Sequence, residues 1–281
     1  MFENVVVGVK DLEAGRDAVC LAQALAAHER KLTLARVQVA ASKPAADSGS
    51  VGSAARRKEA LELLAALRDE SQLNAEVAWG EAHGVRQGLH EIARVRNADL
   101  LVIGASRQDE IYRDLVGDAV YDVLDDPPCA VAVAPVAYCD HRTSWRTIGI
   151  AYGDGVGSDE ALAVARELAA DSDAKLSAFH AVSGLHTRDP GNFAASMDDE
   201  GAMARDRMQR LGGVEAHAAY GDPAQELRRY AGSVDLLVLG RRKHGRVGRL
   251  LGRGTARQIA DDPVCPLLVV AGKAPSRAPD E

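Results

Sequence analysis

Ala98-Asp99-Leu100-Leu101-Val102-Ile103-Gly104 decides the fold, because it returns almost unchanged as Val234-Asp235-Leu236-Leu237-Val238-Leu239-Gly240. The second copy stands 136 positions after the first. Asp125-Asp126-Pro127-Pro128-Cys129 returns at the same spacing, as Asp261-Asp262-Pro263-Val264-Cys265. Two segments held in one register mark a duplicated unit. A looser match pairs Trp79-Gly80-Glu81-Ala82 with Tyr220-Gly221-Asp222-Pro223 at a spacing of 141, so small length changes lie between the copies.

Working outward, each half reads as strands alternating with helices. In half one, Val5 to Val9 is a continuous apolar run, the pattern of a strand covered on both faces. Ala14 to Ala27 has helical spacing, with Ala18, Leu21, Ala22 and Leu25 on one face. Leu32 to Val39 is a second strand, and Ala40 to Ser53 reads as a loop rich in Ala, Ser, Gly and Asp. The sequence predicts an amphipathic helix over Arg56 to Glu70, a strand over Asn74 to Trp79 and a helix over Val85 to Val95. Leu100 to Ile103 and Ala130 to Val133 are the last strands, with a short helix near Gly117 to Leu124. Half two repeats the order. Its strands fall near Thr147 to Tyr152, Leu176 to Val182, Val214 to Tyr220, Leu236 to Leu239 and Leu267 to Val270. Helices are predicted near Asp159 to Ala170, Ala202 to Leu211, Ala224 to Ala231 and Gly254 to Ala260. This alternation implies two tandem doubly wound α/β domains, each with a five-stranded parallel sheet. The domains are expected at 1–137 and 145–273, joined by the polar linker Val136 to Ser144.

The formal net charge of the 281 residues is -7, which argues against a general nucleic-acid binder. The apolar run after Met1 is too short for a signal-peptide core, and no stretch reaches the roughly 18–20 apolar residues of a membrane span. A cytoplasmic protein is expected. Cys20, Cys129, Cys139 and Cys265 lack metal-ligand spacing and read as structural. Cys129 and Cys265 fall in apolar, strand-like runs, where a free Cys behaves as a small buried hydrophobe.

Open parallel α/β sheets bind ligands at the carboxyl ends of their strands, where strand order reverses. The loop after strand four begins at Gly104 in half one and Gly240 in half two, and runs toward helices near Gly117 and Gly254. Such a loop presents backbone N–H groups to phosphate. Here the chain resembles the universal stress protein family over nearly its whole length, twice. ATP-binding members carry G-x2-G-x9-G-[S/T] at this place, then a helix and a final apolar strand. Asp222-Pro223, the Asp-Leu-Leu-Val-Leu-Gly strand and Val264-Cys265-Pro266-Leu267-Leu268-Val269-Val270 carry the resemblance. It implies a fold like that of adenine nucleotide alpha hydrolases, and ATP or another adenine nucleotide as ligand, with or without Mg. It also implies a homodimer or an internal pseudo-dimer of the two domains. The last strands, Ala130 to Val133 and Leu267 to Val270, are then expected at sheet edges, meeting within the chain or between chains.

The departures from the motif differ between the halves. In half one Gly104 and Gly117 fit, but Arg107 replaces the second glycine and Asp118 the Ser or Thr. Asp118 also suits a helix start, where the macrodipole favours a carboxylate. Lys10-Asp11-Leu12 stands where the family has Asp-Gly-Ser. In half two the ungapped register puts Lys243 and Arg253 on glycine positions, whereas a one-residue shift restores Gly254-Thr255. The stretch from Gly240 to Arg253 is glycine-rich and densely basic in an acidic protein, which suits a polyanion, a solvated loop or an acidic partner. The candidate nucleotide residues are therefore Asp154, Gly155, Ala181, Gly240, Arg242, Lys243, Gly254 and Thr255, with Gly104 and Gly117 as weaker ones.

No general base stands beside a nucleophile, and no P-loop or dinucleotide fingerprint occurs. His180, at the end of a strand, reads as a partly buried structural histidine. Two functions remain: a nucleotide-binding stress-response or signalling module, with half two as the binding half, and a scaffold of the same fold whose motifs no longer hold ATP. Catalysis is expected to extend at most to slow ATP hydrolysis.

Overall fold

In the computed structural model, residues 1–40, 49–105, 122–141, 144–153, 156–182, 193–241 and 253–270 are described. The first unit runs β1 (Phe2–Gly8), α1 (Leu12–Leu25), β2 (Ala26–Val39), α2 (Gly49–Glu70), β3 (Ala75–Ala82), α3 (Val85–Val95), β4 (Leu100–Gly104) and β5 (Ala130–Ala134). A short helix, α4 (Tyr138–His141), follows. The second unit runs β6 (Thr147–Ala151), α5 (Val156–Ser172), β7 (Lys175–Val182), α6 (Phe193–Gln209), β8 (Val214–Tyr220), α7 (Pro223–Ala231), β9 (Leu236–Gly240), α8 (Arg253–Ala260) and β10 (Leu267–Val270).

Within the first unit the strand order is β3-β2-β1-β4-β5, and within the second β10-β9-β6-β7-β8. Every strand pair inside each unit is parallel. Each chain segment winds outward from its first strand, then returns to the other side of it. The order therefore reverses between β1 and β4 in one unit, and between β6 and β9 in the other.

The central strands explain the continuous apolar runs. Val5, Val6 and Val7 of β1 and Leu100, Leu101 and Val102 of β4 are buried on both faces. Helices cover them: α1, packed on β1 and β4, supplies the fully buried Leu21 and Leu25, and α3 brings Leu89 against Gly8 of β1, while α2, with fully buried Leu64 and Leu67, packs on β2 and β3. Ile148 and Ile150 of β6 are buried likewise in the second unit, where α5 packs on β6 and Tyr230 of α7 stands against Gly149. Each fully buried side chain of this kind contributes about 1.5–3 kcal/mol of burial free energy.

The aspartates of the repeated segment have a shared structural task. The Asp99 carboxylate accepts from the backbone N–H groups of Glu3 and Asn4, at 2.8 and 3.0 Å. Asp235 accepts from those of Arg146 and Thr147, both at 2.8 Å. Each carboxylate ties the start of a unit's first strand to the start of its fourth, which pins the register of the pair that flanks the reversal.

Two local expectations need correction. Helix α2 begins at Gly49, inside the stretch read as a loop, because small polar residues accept helix once a strong amphipathic segment has nucleated it. The predicted first helix continued to Ala27, but α1 stops at Leu25 and β2 starts at Ala26, whose backbone is already extended at φ -84 and ψ 151. The polar linker Val136 to Ser144 contains α4. The Asp17 carboxylate on α1 accepts from the N–H groups of Ala137 and Cys139, both at 2.8 Å, and so supplies that short helix with the cap its own sequence lacks. The short helix predicted near Gly117 to Leu124 falls mostly outside the described residues.

Candidate functional site

The strand-order reversal in the second unit brings the residues after β6 beside those after β9. Open parallel sheets offer a cleft at this place because the two loops diverge to opposite faces. The backbone here is unusually close. A Cβ on Gly240 would overlap the carbonyl oxygen of Gly157, and a Cβ on Gly157 would lie 2.7 Å from the carbonyl oxygen of Arg241. Glycine at both positions lets the N-terminal turn of α5 sit directly against the end of β9. The first unit uses the same device, since a Cβ on Gly104 would overlap the backbone of Ala14 in α1. The first glycine of each strand-four loop thus has a packing task that needs no ligand.

Around this contact the loop after β6 is held by polar bonds. The Ser158 hydroxyl accepts from the N–H of Gly153 at 2.9 Å and is itself buried. The Tyr152 hydroxyl donates to Asp159 at 3.2 Å. Burial first, and then the Asp159 charge, raise the Tyr152 pKa above the ordinary phenol value, so it remains a neutral donor. His180 Nδ1 lies 2.9 Å from the Tyr152 carbonyl oxygen, which places a proton on Nδ1 and couples the end of β7 to the same loop. The structure gives His180 the structural bond expected of it. Ser158 and Tyr152 were not singled out in the sequence. A Ser at the start of a helix is a recognisable signal, but its partner, Gly153, becomes visible only in three dimensions.

Ala181 lies in β7, one residue from its carboxyl end, and pairs with Ala219 of β8. Gly240 closes β9. Gly254 and Thr255 lie in the first turn of α8, which begins at Arg253. The N–H groups of a first helical turn have no intrahelical acceptor and carry the positive end of the macrodipole. Asp154, Gly155, Arg242, Lys243 and Gly117 lie outside the described residues.

The corresponding place in the first unit is built differently. Asp11 is the N-cap of α1 and accepts from the N–H of Ala14 at 2.9 Å, so its carboxylate is engaged in the helix start. Arg36 of β2 donates to the carbonyl oxygen of Lys10. Desolvation lowers the pKa of Lys10 below the usual lysine value, against the opposing pull of Asp11.

Elsewhere, a groove of about 920 Å³ runs between α2 and β3, with Arg57 stacked over Trp79 at 5.5 Å from the ring centre. Asp222 caps α7 by accepting from Ala224 and Gln225, at 3.1 and 3.0 Å, with Pro223 in the first turn. The family-typical Asp-Pro therefore starts a helix. Buried His90 stands 2.9 Å from the Val123 carbonyl oxygen, and desolvation holds its pKa below the ordinary histidine value. Among the described residues no group of three or more His, Cys, Asp or Glu is placed to hold a metal ion, and no helix is long and apolar enough to cross a membrane.

Comparison with known proteins agrees with this architecture. The whole chain superposes on a universal stress protein from Archaeoglobus fulgidus DSM 4304 with a TM-score of 0.68, at 15% identity, covering 96% of each chain. It superposes on a functionally unknown protein from Pseudomonas aeruginosa PAO1 with a TM-score of 0.62, at 15% identity, covering 96% of this chain and 93% of the other. At such identity these likenesses speak for the fold alone. No curated protein matches the chain. The model of the universal stress protein family matches twice, over residues 1–135 and 144–271. The chain therefore belongs to the universal stress protein family and carries the family's domain twice in tandem.

Proposed function

We propose that this protein is an adenine-nucleotide-binding stress-response or signalling module, and that its second domain is the binding half. The observation that carries this reading is the placement of Gly254 and Thr255 in the first turn of α8. Backbone N–H groups and a hydroxyl there can donate to phosphate oxygens, and the basic stretch from Arg241 to Arg253 supplies cations for charge-assisted bonds. The one-residue shift of the family motif onto Gly254-Thr255 is the register this reading adopts. Its cleft lies at the strand-order reversal, between the loop after β6 and the loop after β9.

The first domain does not share these features. Its Asp11 is engaged as a helix cap, and the motif's final Ser or Thr is Asp118, a carboxylate that repels phosphate. A gain of about 1.5–3 kcal/mol for a charged hydrogen bond in one half, against repulsion in the other, separates the two affinities by a factor on the order of 10². On this reading the second domain acts by holding nucleotide rather than by rapid turnover. The test is calorimetric titration of the full chain with ATP, ADP and AMP, with and without Mg. One nucleotide per chain is expected. No heat at any concentration up to the millimolar range moves the reading to the scaffold.

A further inference from the structure

Cys20 and Cys139 are joined by a disulfide across 119 positions of chain, with Cα atoms 5.5 Å apart. Neither residue announces this in the sequence. Cys20 lies on α1 and is 8% exposed, while Cys139, on α4, is half-buried. The bond closes a loop that holds β2 to β5, four of the five strands of the first unit. We propose that this pair is a reversible thiol–disulfide switch that locks the linker helix α4 onto α1 when the protein meets a hydroperoxide.

Two observations support reversibility. The first is Asp17, three residues before Cys20 on the same helix and only 6% exposed. Its carboxylate holds the N–H groups of Ala137 and Cys139 by bonds that do not depend on the sulfur chemistry. In the reduced protein the same bonds keep Cys139 beside Cys20, so the disulfide can re-form without a search. The second is the state of the other cysteines. Cys129 and Cys265 are buried and take part in no disulfide. Burial, and after it the Asp99 charge, push the Cys129 thiol up to about 12, so that it does not compete as a thiolate.

The chemistry balances with peroxide as oxidant. The more accessible Cys139 thiolate attacks one peroxide oxygen and breaks the O–O bond, and the departing hydroxide takes up a proton to leave as water. The resulting sulfenic acid is attacked by the Cys20 sulfur, which forms the S–S bond and releases a second water as the Cys20 proton is taken up. Two thiols are oxidised by two electrons, and one hydrogen peroxide is reduced to two waters. A low-molecular-weight dithiol reverses the step by exchange.

The test uses the full chain in native buffer. After dithiothreitol treatment and its removal, substoichiometric hydrogen peroxide should restore a disulfide that peptide mapping assigns to Cys20 and Cys139. Closing so long a loop should raise the thermal midpoint of the first unit by about 10 °C, and reduction should reverse the shift. C139S should show the low midpoint in both conditions. D17N should fold but re-form the bond several-fold more slowly, which a merely structural disulfide would not predict. A bond that native-state dithiothreitol leaves intact would overturn the switch. So would peroxide that oxidises Cys129 or Cys265 first, or a midpoint indifferent to reduction.

Discussion

Replacing Gly240 by Ala tests how the second unit is assembled at its cleft. The substitution is small, adding one methyl group. It places that methyl where the Gly157 carbonyl oxygen already stands, and that oxygen belongs to backbone, so no side chain can swing aside. The N-terminal turn of α5 must move away from β9, which opens the backbone contact between them. Overpacking of this kind costs typically about 1–3 kcal/mol, and a backbone obstacle puts Gly240→Ala near the upper end, at about 3 kcal/mol. With a urea dependence of about 2 kcal/mol per molar for a domain of this size, the unfolding midpoint of the second unit should fall by about 1.5 M. Gly157→Ala should cost less, since its Cβ would sit 2.7 Å from the Arg241 oxygen and needs a smaller shift. Gly84→Ala is the control: its Cβ meets nothing within 4 Å, and the change should stay below about 1 kcal/mol. Urea titrations followed by circular dichroism, without nucleotide, would give the order. A Gly240→Ala midpoint within error of the parent would refute the packing argument and return Gly240 to a role seen only with ligand bound.

Two further outcomes follow from polar groups bonded to the backbone. Asp235→Ala removes the acceptor for the N–H groups of Arg146 and Thr147 and should cost about 2 kcal/mol in urea unfolding, with Asp99→Ala giving a similar loss in the first unit. Buried His90 should make the first unit sensitive to acid: its folded pKa is held below the unfolded value of 6.5, so the unfolded chain binds the extra proton. Stability should be complete above about pH 6.5 and decline as pH falls through the folded pKa, and His90→Gln should flatten that part of a stability–pH profile recorded from pH 7.5 to 5.

The order of strands and helices was legible because each depends on short-range pattern. The runs Val5 to Val7 and Leu100 to Val102 read as strands buried on both faces, and the duplicated Asp-Leu-Leu-Val segment gave the repeat. What that aspartate does was not legible, because its partners lie at the other end of the chain segment, in Glu3 and Asn4 or in Arg146 and Thr147. The same holds for Asp17 and for Cys20 with Cys139, where residues about 120 positions apart meet. At the candidate site the family resemblance named Gly104 and Gly240 for their place in a phosphate loop. Their structural task, close contact between helix and strand, depends on where α1 and α5 pack, which no local pattern reveals. The composition that made Ala40 to Ser53 look like a loop is only a correlation, and the helix from Gly49 shows its limit.

The central claim is that one half of this duplicated chain holds nucleotide and the other does not. Isothermal titration of the full-length protein with ATP measures it most directly, run in parallel on Thr255→Val and Gly254→Val. The account predicts one site per chain in the parent. It predicts loss of that site in Gly254→Val, where a β-branched side chain blocks approach to the backbone, and affinity weakened about tenfold or more in Thr255→Val. Both variants should keep the parent's circular dichroism spectrum. Two equal sites per chain, or a single site unchanged in both variants, would contradict it.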